Sequence, residues 1–231
     1  MKEIITEIKN RIFKAAASCG RNPENIRIVA VTKTVPAERI RKAIESGIQI
    51  IGESYIQDAR EKYPLLFSND VSWHFIGHLQ TNKAKYAVKM FDLIHTVDSY
   101  KLAVELDAQA KKINKIQQIL IQVNIGKEKS KSGITEETTF DLLRKISGLN
   151  NLFIKGLMVI PPFFDDPERT RPYFADTKIL RDRIKRFLDS EDIQNIRMDE
   201  LSMGMSGDFE AAIEEGATLV RIGTGIFGER E

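Results

Sequence analysis

The 231-residue chain carries 42% hydrophobic residues, enough for one sizeable core and within the range of a single α/β barrel domain. Its 35 Lys and Arg against 33 Asp and Glu leave a net charge of only +2 with no basic or acidic tail, which argues against nucleic acid as a partner. The N-terminal MKEIITEIKNRIFKAAAS is charged every few residues, so it reads as an amphipathic helix over 2–18, not as a signal sequence or membrane span, and a cytoplasmic location is expected.

Beyond the lone Cys19, which has no partner for an internal disulfide and is read as structural, strand-length apolar runs alternate with helical patterns. In chain order the spacing predicts strand 26–33, helix 36–47, strand 48–54, helix 55–66, strand 72–77, helix 81–90, strand 93–98 and helix 99–112. The second half continues with strand 118–125, helix 135–147, strand 153–160, helix 167–188, strand 200–206, helix 208–216 and strand 219–223. The least regular stretches are 126–134 (GKEKSKSGI) and 161–168 (PPFFDDPE). Eight strands joined by helical crossovers predict a parallel (β/α)8 TIM barrel of the α/β class, a single domain over 1–231. The first helix is an extra element able to close one end of the barrel. An open doubly wound sheet fits less well, because no Gly-x-Gly-x-x-Gly follows the first strand and opens a helix.

Chemistry in such a barrel gathers at the carboxyl ends of the strands. Along the first strand, period-two alternation puts Val29, Val31 and Lys33 on one face, so Lys33 points into the barrel mouth. Desolvation there favours the neutral amine, the form that attacks a carbonyl to give an imine. A lysine that snorkels to solvent or pairs with a carboxylate such as Glu53 is the plainer alternative. Late in the chain, Ser206 and Gly207 fall at a strand-to-helix junction, where backbone N–H groups and the helix dipole favour an anion. VRIGTGIFG then supplies Gly223, Thr224 and Gly225, glycines that let the backbone approach an oxyanion and a hydroxyl to bond it. A first-strand lysine with a phosphate cup after the seventh and eighth strands describes a site for pyridoxal 5′-phosphate (PLP), which carries both an aldehyde and a phosphate. Arg221 shares a face with Leu219 and Gly223 and can point inward as a permanent donor that faces the pyridine nitrogen and keeps it unprotonated. Such a ring is a poor electron sink. A structural arginine paired with an acidic neighbour is the alternative.

AVTKT, IGESY, WHFIGHLQTNK, HTVDS, QVNI, SKSGI, GLMVIP, LSMGMSGDFEAAI and VRIGTGIFG run in this order from about residue 26 to 228. Together they resemble the motifs of the pyridoxal phosphate homeostasis protein family, whose barrel, the fold-type III PLP barrel, is similar to the N-terminal domain of alanine racemase. The resemblance implies an intracellular protein that carries or buffers PLP without robust catalysis. It implies that Lys33 forms the internal imine, that Arg221 faces the ring nitrogen, and that Ser206, Gly223 and Thr224 hold the phosphate. It also implies that Asn124 and Met158, at the ends of the fifth and sixth strands, lie near the ring. Ser54 departs from the family pattern, which usually has Asn there, and offers no amide for a cofactor contact. The expected partners are PLP-dependent apo-enzymes, and the expected state is a monomer, since the racemase's second domain makes that enzyme's main dimer contacts.

Other polar groups read as ordinary structure. His74 and His78 straddle Phe75-Ile76-Gly77 and His95 lies on another strand, so no metal pair is expected. Thr81 is placed to cap a helix, with Gln80, Asn82 and Lys83 beside it as a second polar wall to the site. The run Lys127, Lys129 and Lys131 is solvated surface, although Lys131, in the SKSG motif, is a candidate for gating or PLP transfer. The pairs Trp73/Phe75 and Phe163/Phe164 read as packing. Two enzyme readings compete with the carrier. A PLP-dependent racemase or decarboxylase needs proton-transfer groups on opposite faces of the substrate, for which Tyr55 is the available candidate. An aldolase would use Lys33 with the cup holding a sugar phosphate.

Overall fold

Val, Ile and Leu crowd the strand runs because branched side chains suit a pleated backbone, and in a parallel sheet buried on both faces neither face can be polar throughout. The computed structural model describes residues 1–67, 70–128, 131–191 and 193–229. The runs become β1 (Arg27–Val31), β2 (Ile50–Glu53), β3 (Ser72–Phe75), β4 (Leu93–Val97), β5 (Gln117–Val123), β6 (Leu152–Val159), β7 (Ile196–Met205) and β8 (Leu219–Ile222). Each pairs in parallel with the next, and β1 also pairs with β8 through Val29 opposite Arg221, so the sheet closes into a barrel. Alternation sorts the side chains. Val29, Ile50, Leu93, Leu120, Met158 and Leu219 form a separate cluster within the barrel, while Ala30, Ile51, Ile94, Ile121 and Val220 join the outer core under the helices.

The helices are α1 (Lys2–Ser18), α2 (Ala37–Glu45), α3 (Ile56–Leu66), α4 (Ala84–Met90), α5 (Tyr100–Lys111), α6 (Glu136–Ile146), α7 (Arg171–Leu188), α8 (Phe209–Glu214) and the short α9 (Thr224–Phe227). Helices α2 to α8 each follow one strand, which leaves β8 with only one turn of helix to cover it. The structure fills that gap with α1. Arg11 bonds Glu210 at 2.6 Å and Ser18 bonds Glu214 at 3.3 Å along α8, while Lys9 reaches the carbonyl of Gly47 just past α2. With Ile5, Ile8 and Ile12 buried, α1 therefore stands in the helix ring between α8 and α2 and does not close an end of the barrel. The other departure is β7, which starts four residues before the expected 200. Its early part alternates buried Ile196 and Met198 with exposed Arg197 and Asp199, a one-sided pattern that the search for a continuous apolar run passes over.

Among the described residues, no helix is long and apolar enough to cross a membrane.

Candidate functional site

The strands stop just short of the residues that carry polar chemistry. Lys33 lies two residues beyond β1, Asn124 one beyond β5, Ser206 one beyond β7 and Gly223 one beyond β8, so all four sit on the same end of the barrel. Lys33 lines two clefts. One, of about 540 Å³, includes Val31, Thr34, Arg39, Gly223 and Thr224. The other, of about 490 Å³, includes Ser54, Tyr55, His78, Gln122 and Lys131.

The backbone on both sides of Lys33 is pinned from outside the barrel. Lys62, buried on α3, donates from Nζ to the carbonyl of Thr32 at 2.7 Å, to Glu53 Oε1 at 2.9 Å and to Asp58 Oδ2 at 2.8 Å. Thr32 Oγ1 donates to the same Glu53 oxygen at 2.7 Å, and the N–H of Thr34 donates to Asp58 Oδ2 at 3.1 Å. Residues 32 and 34 are thus tied to one ionic cluster, which also holds Thr34 in the left-handed region at φ 64°. Glu53, on the outer face of β2, is spoken for by Lys62 and Thr32. Its burial pushes the carboxyl pKa up, against the pull of the Lys62 charge and bonds.

The cup at the far side differs in detail from the sequence expectation. Helix α8 begins only at Phe209, so Ser206 and Gly207 lie in a turn, which Asp208 folds by accepting the Met205 N–H at 2.6 Å. Here the donors belong to the start of α9. The N–H groups of Gly223 and Gly225 reach Ser206 Oγ at 3.3 and 3.2 Å. With both lone pairs of that hydroxyl engaged, its hydrogen is left to donate to an acceptor. A Cβ at 223 would meet the Val31 side chain at 3.4 Å, an ordinary contact, so the glycine there leaves the cleft wall open without being forced by the backbone.

Arg221 is buried within the barrel, where Nη1 donates to Ser202 Oγ at 2.8 Å and Nη2 to the carbonyl of Val159 at 2.9 Å. Its partners are a hydroxyl and a carbonyl instead of the acidic neighbour of the structural alternative. Burial lowers its pKa to about 10, with Asp208 pulling the other way, so it stays a cation and keeps further N–H groups to offer. The set of a primary amine, a hydroxyl oriented by two glycine amides, and a buried guanidinium suits a molecule with a carbonyl, an anionic group and a neutral acceptor.

The other expected residues fall out differently. Met158 is fully buried in the inner cluster beneath the mouth. Asn124 turns onto its own loop, donating from Nδ2 to the carbonyls of Glu128 and Lys131 and accepting the Glu128 N–H, so it braces Glu128 and Lys131. Lys131 ties that loop to the next, with Nζ 2.7 Å from both the carbonyl of Pro161 and Glu128 Oε1. Lys127 is exposed and pairs with Glu137, and Lys129 lies outside the described residues. Tyr55 is 57% exposed at the rim. Thr81 caps nothing: a 3-10 turn spans Thr81–Lys83, and Gln80 precedes it without a side-chain bond. Gln80 and Lys83 do line a small cavity of about 260 Å³ beside Ser54, Tyr55 and His78. Trp73 and Phe75 pack on Phe91, whereas Phe163 is 83% exposed and only Phe164 packs, on Tyr173.

Sequence reading passed over Lys62 and the inward polar row of His74, His95 and Ser202. Asp58 and Lys62 at i,i+4 were a visible signal on α3. For the row, parity was the signal, because His74 sits between outward Trp73 and Phe75, and Ser202 between outward Leu201 and Met203. His74 and His95 do converge, with ring nitrogens 2.9 Å apart. Among the described residues no group of three or more His, Cys, Asp or Glu is placed to hold a metal ion.

A family model described as the alanine racemase N-terminal domain matches residues 6–231. A pyridoxal phosphate homeostasis protein of Aquifex aeolicus (strain VF5) is 43% identical over 229 residues, covering 99% of this chain and 98% of its own length. Among solved structures, that of the PipY protein of Synechococcus elongatus with PLP bound matches with a TM-score of 0.81 at 35% identity, over 94% of this chain and 100% of that one. An alanine racemase of Clostridium difficile is similar in fold alone, with a TM-score of 0.70 at 15% identity over 96% of this chain and 55% of the racemase.

Proposed function

This chain belongs to the pyridoxal phosphate homeostasis proteins, which are built on the alanine racemase N-terminal barrel, and from that premise we propose that it holds PLP on Lys33 and hands it on as a carrier. PLP supplies an aldehyde that condenses reversibly with a primary amine, and a phosphate by which the rest of the molecule is anchored. The observation that carries the reading is that Lys33 shares a cleft with Gly223 and Thr224. Lys33 supplies the amine from a backbone pinned on both sides. Ser206, with its hydroxyl hydrogen left to donate, and Thr224 hold the phosphate, while Gly223 shapes the cup and sets Ser206 through its N–H; charge-assisted hydrogen bonds of this type are the strong kind. Arg221 directs an N–H at the ring nitrogen and, having no lone pair to offer, keeps that nitrogen an acceptor. Met158 floors the site, and Asn124 acts through the loop it braces.

The carrier reading is supported by the names of the curated relatives and by Arg221 standing where an acid would be needed to protonate the ring. The receivers are PLP-dependent apo-enzymes, and the working form is a monomer. A racemase or decarboxylase is the second reading, favoured by Tyr55 lining a cleft with Lys33. The test is an absorption spectrum of the purified protein loaded with PLP, before and after borohydride, followed by peptide mapping. A visible band whose reduction marks Lys33, absent in Lys33→Ala, is expected; an adduct on Lys83 or Lys131 overturns the assignment. An aldolase would form its reducible adduct with a sugar phosphate and without colour. Solvent deuterium exchange at Cα over a panel of L- and D-amino acids then separates the two PLP readings, since fast, complete racemisation lost in Lys33→Ala would make the protein an enzyme.

A further inference from the structure

Inside the barrel, below the mouth, a row of polar side chains runs from Arg221 across to β3. Arg221 Nη1 donates to Ser202 Oγ at 2.8 Å, Ser202 Oγ lies 2.9 Å from His95 Nδ1, and His95 Nε2 lies 2.9 Å from His74 Nδ1. All four side chains are buried, among them Ser202 and His95 completely. The apolar inward neighbours are Val29, Ile50, Leu93, Leu120, Met158 and Leu219, and the other inward polar groups are Gln122 on the mouth side and the Arg27–Glu200 ion pair on the opposite side, where Arg27 and His74 line one cleft.

The chemistry of these groups orients the row. A guanidinium only donates, so Ser202 must accept from Arg221. The serine hydrogen then needs an acceptor, and among the described residues His95 Nδ1 is the group in reach. A neutral imidazole whose Nδ1 accepts carries its hydrogen on Nε2. His95 therefore donates to His74 Nδ1, and His74 in turn carries its hydrogen on Nε2. The opposite orientation of the two rings would leave the hydrogen of the fully buried Ser202 without an acceptor, which buried polar groups avoid. Neutral rings fit the surroundings: burial lowers the His74 pKa to about 3, with the Arg27 charge adding to it, and that of His95 well below the usual histidine value, with His74, Arg221 and Arg27 adding to it in that order.

We infer that Ser202, His95 and His74 are positioning residues that form a one-way chain of donors, fixing the Arg221 guanidinium so that its remaining N–H groups face the barrel mouth. Ser202 is a one-sided partner: its hydrogen is committed to His95, so it can only receive from Arg221. With Nη2 held by the carbonyl of Val159, the guanidinium has two fixed points and cannot swing about its stem. This rests on the proposed role of Arg221 at the cofactor's ring nitrogen, and extends it to three residues that need not touch the cofactor.

The chain has a signature that does not depend on bound PLP. In cofactor-free protein with ¹⁵N-labelled histidine, NMR near neutral pH should show both His74 and His95 as neutral Nε2–H forms. An Nδ1–H form of either ring overturns the orientation. In Ser202→Ala, His95 should lose its single form and the Arg221 guanidinium hydrogens should exchange with solvent about tenfold faster or more. Ser202→Thr, which keeps the hydroxyl, should restore both. An unchanged His95 signal and unchanged exchange in Ser202→Ala would sink the positioning role even with the orientation intact. The functional reading fails separately: with ring-¹⁵N PLP, a ring-nitrogen signal indifferent to Arg221→Lys removes the cofactor contact and leaves the tautomer result standing.

Discussion

Replacing Lys62 by Met keeps the hydrophobic stem of the side chain and removes the one cation of the cluster behind Lys33. Glu53 is completely buried, and Lys62 and the Thr32 hydroxyl are its partners, both on Oε1; Oε2 has none among the described residues. Without the ammonium, a buried carboxylate is left with a single neutral donor, a change that costs about 3–5 kcal/mol in comparable buried pairs. The protein can limit this loss by keeping Glu53 protonated. Its folded pKa, already raised by burial, would rise further, so the folded state binds a proton that the unfolded chain releases near the ordinary carboxyl value. Stability of Lys62→Met should therefore fall as pH rises above that ordinary value, until the raised folded pKa is passed. Urea unfolding at pH 5.5 and 8 should show the variant more severely destabilised at the higher pH, and Lys62→Met/Glu53→Leu should recover most of the loss. The same variant unpins the backbone at Thr32, so the Lys33 adduct should weaken while pyridoxine 5′-phosphate, which has no aldehyde, binds as before. A loss below about 1 kcal/mol, the scale of an exposed ion pair, together with an unchanged Lys33 adduct, would refute the view of this cluster as a buried clamp.

Ser206→Ala should weaken PLP retention by about 1–3 kcal/mol, and Thr224→Ala similarly, as measured by calorimetric titration. Pyridoxal should bind far more weakly than PLP to the wild type and be nearly indifferent to either change; equal affinity for the two aldehydes would dismiss the cup. His74 and His95 are held neutral when folded and free to protonate when unfolded, so each should cost about 1.4 kcal/mol per pH unit as pH falls below about 6.5, for His74 down to about 3. Denaturant titrations from pH 7 to 4.5 should show this slope, reduced in His74→Asn. Gly52→Ala would place a Cβ 2.8 Å from Val29 Cγ1 and 3.0 Å from Ile76 Cδ1, and should lower stability by about 1–3 kcal/mol in the same assay through overpacking inside the barrel.

Period-two parity is legible in a sequence, and it sufficed to put Val29 inside the barrel, to align Arg221 with Leu219, and to aim Lys33 at the mouth. Strand count and parallel order follow from the alternation of runs with helices. What parity lacks is position around the barrel. His74, His95, Ser202 and Arg221 come from four strands, and only closure of the sheet decides that they meet in a row. Lys62 shows the same limit for a helix: the i,i+4 pairing with Asp58 is local, but its contact with Thr32 depends on how α3 lies over β1 and β2. The place of α1 was hidden for another reason, since a gap in the helix ring exists only once α8 and α9 are known to be short. Asn124 had the right address at the end of β5, yet its amide was claimed by three backbone groups of its own loop, a competition that asparagine often wins locally.

Lys33 stands on the wall between two clefts, with the glycine amides on one side and Tyr55, His78 and Lys131 on the other. For exchange kinetics this makes the difference between two rate laws. On the proposed reading, with the imine at Lys33 and the phosphate in the cup on one side, an incoming amine would reach the linkage from the opposite side while the phosphate is still held. Displacement is then associative: the rate of release rises with the concentration of the acceptor, and the cofactor need never pass through solvent as a free aldehyde. A site with a single opening would have to empty before it could trade, and its release rate would be the same whoever was waiting.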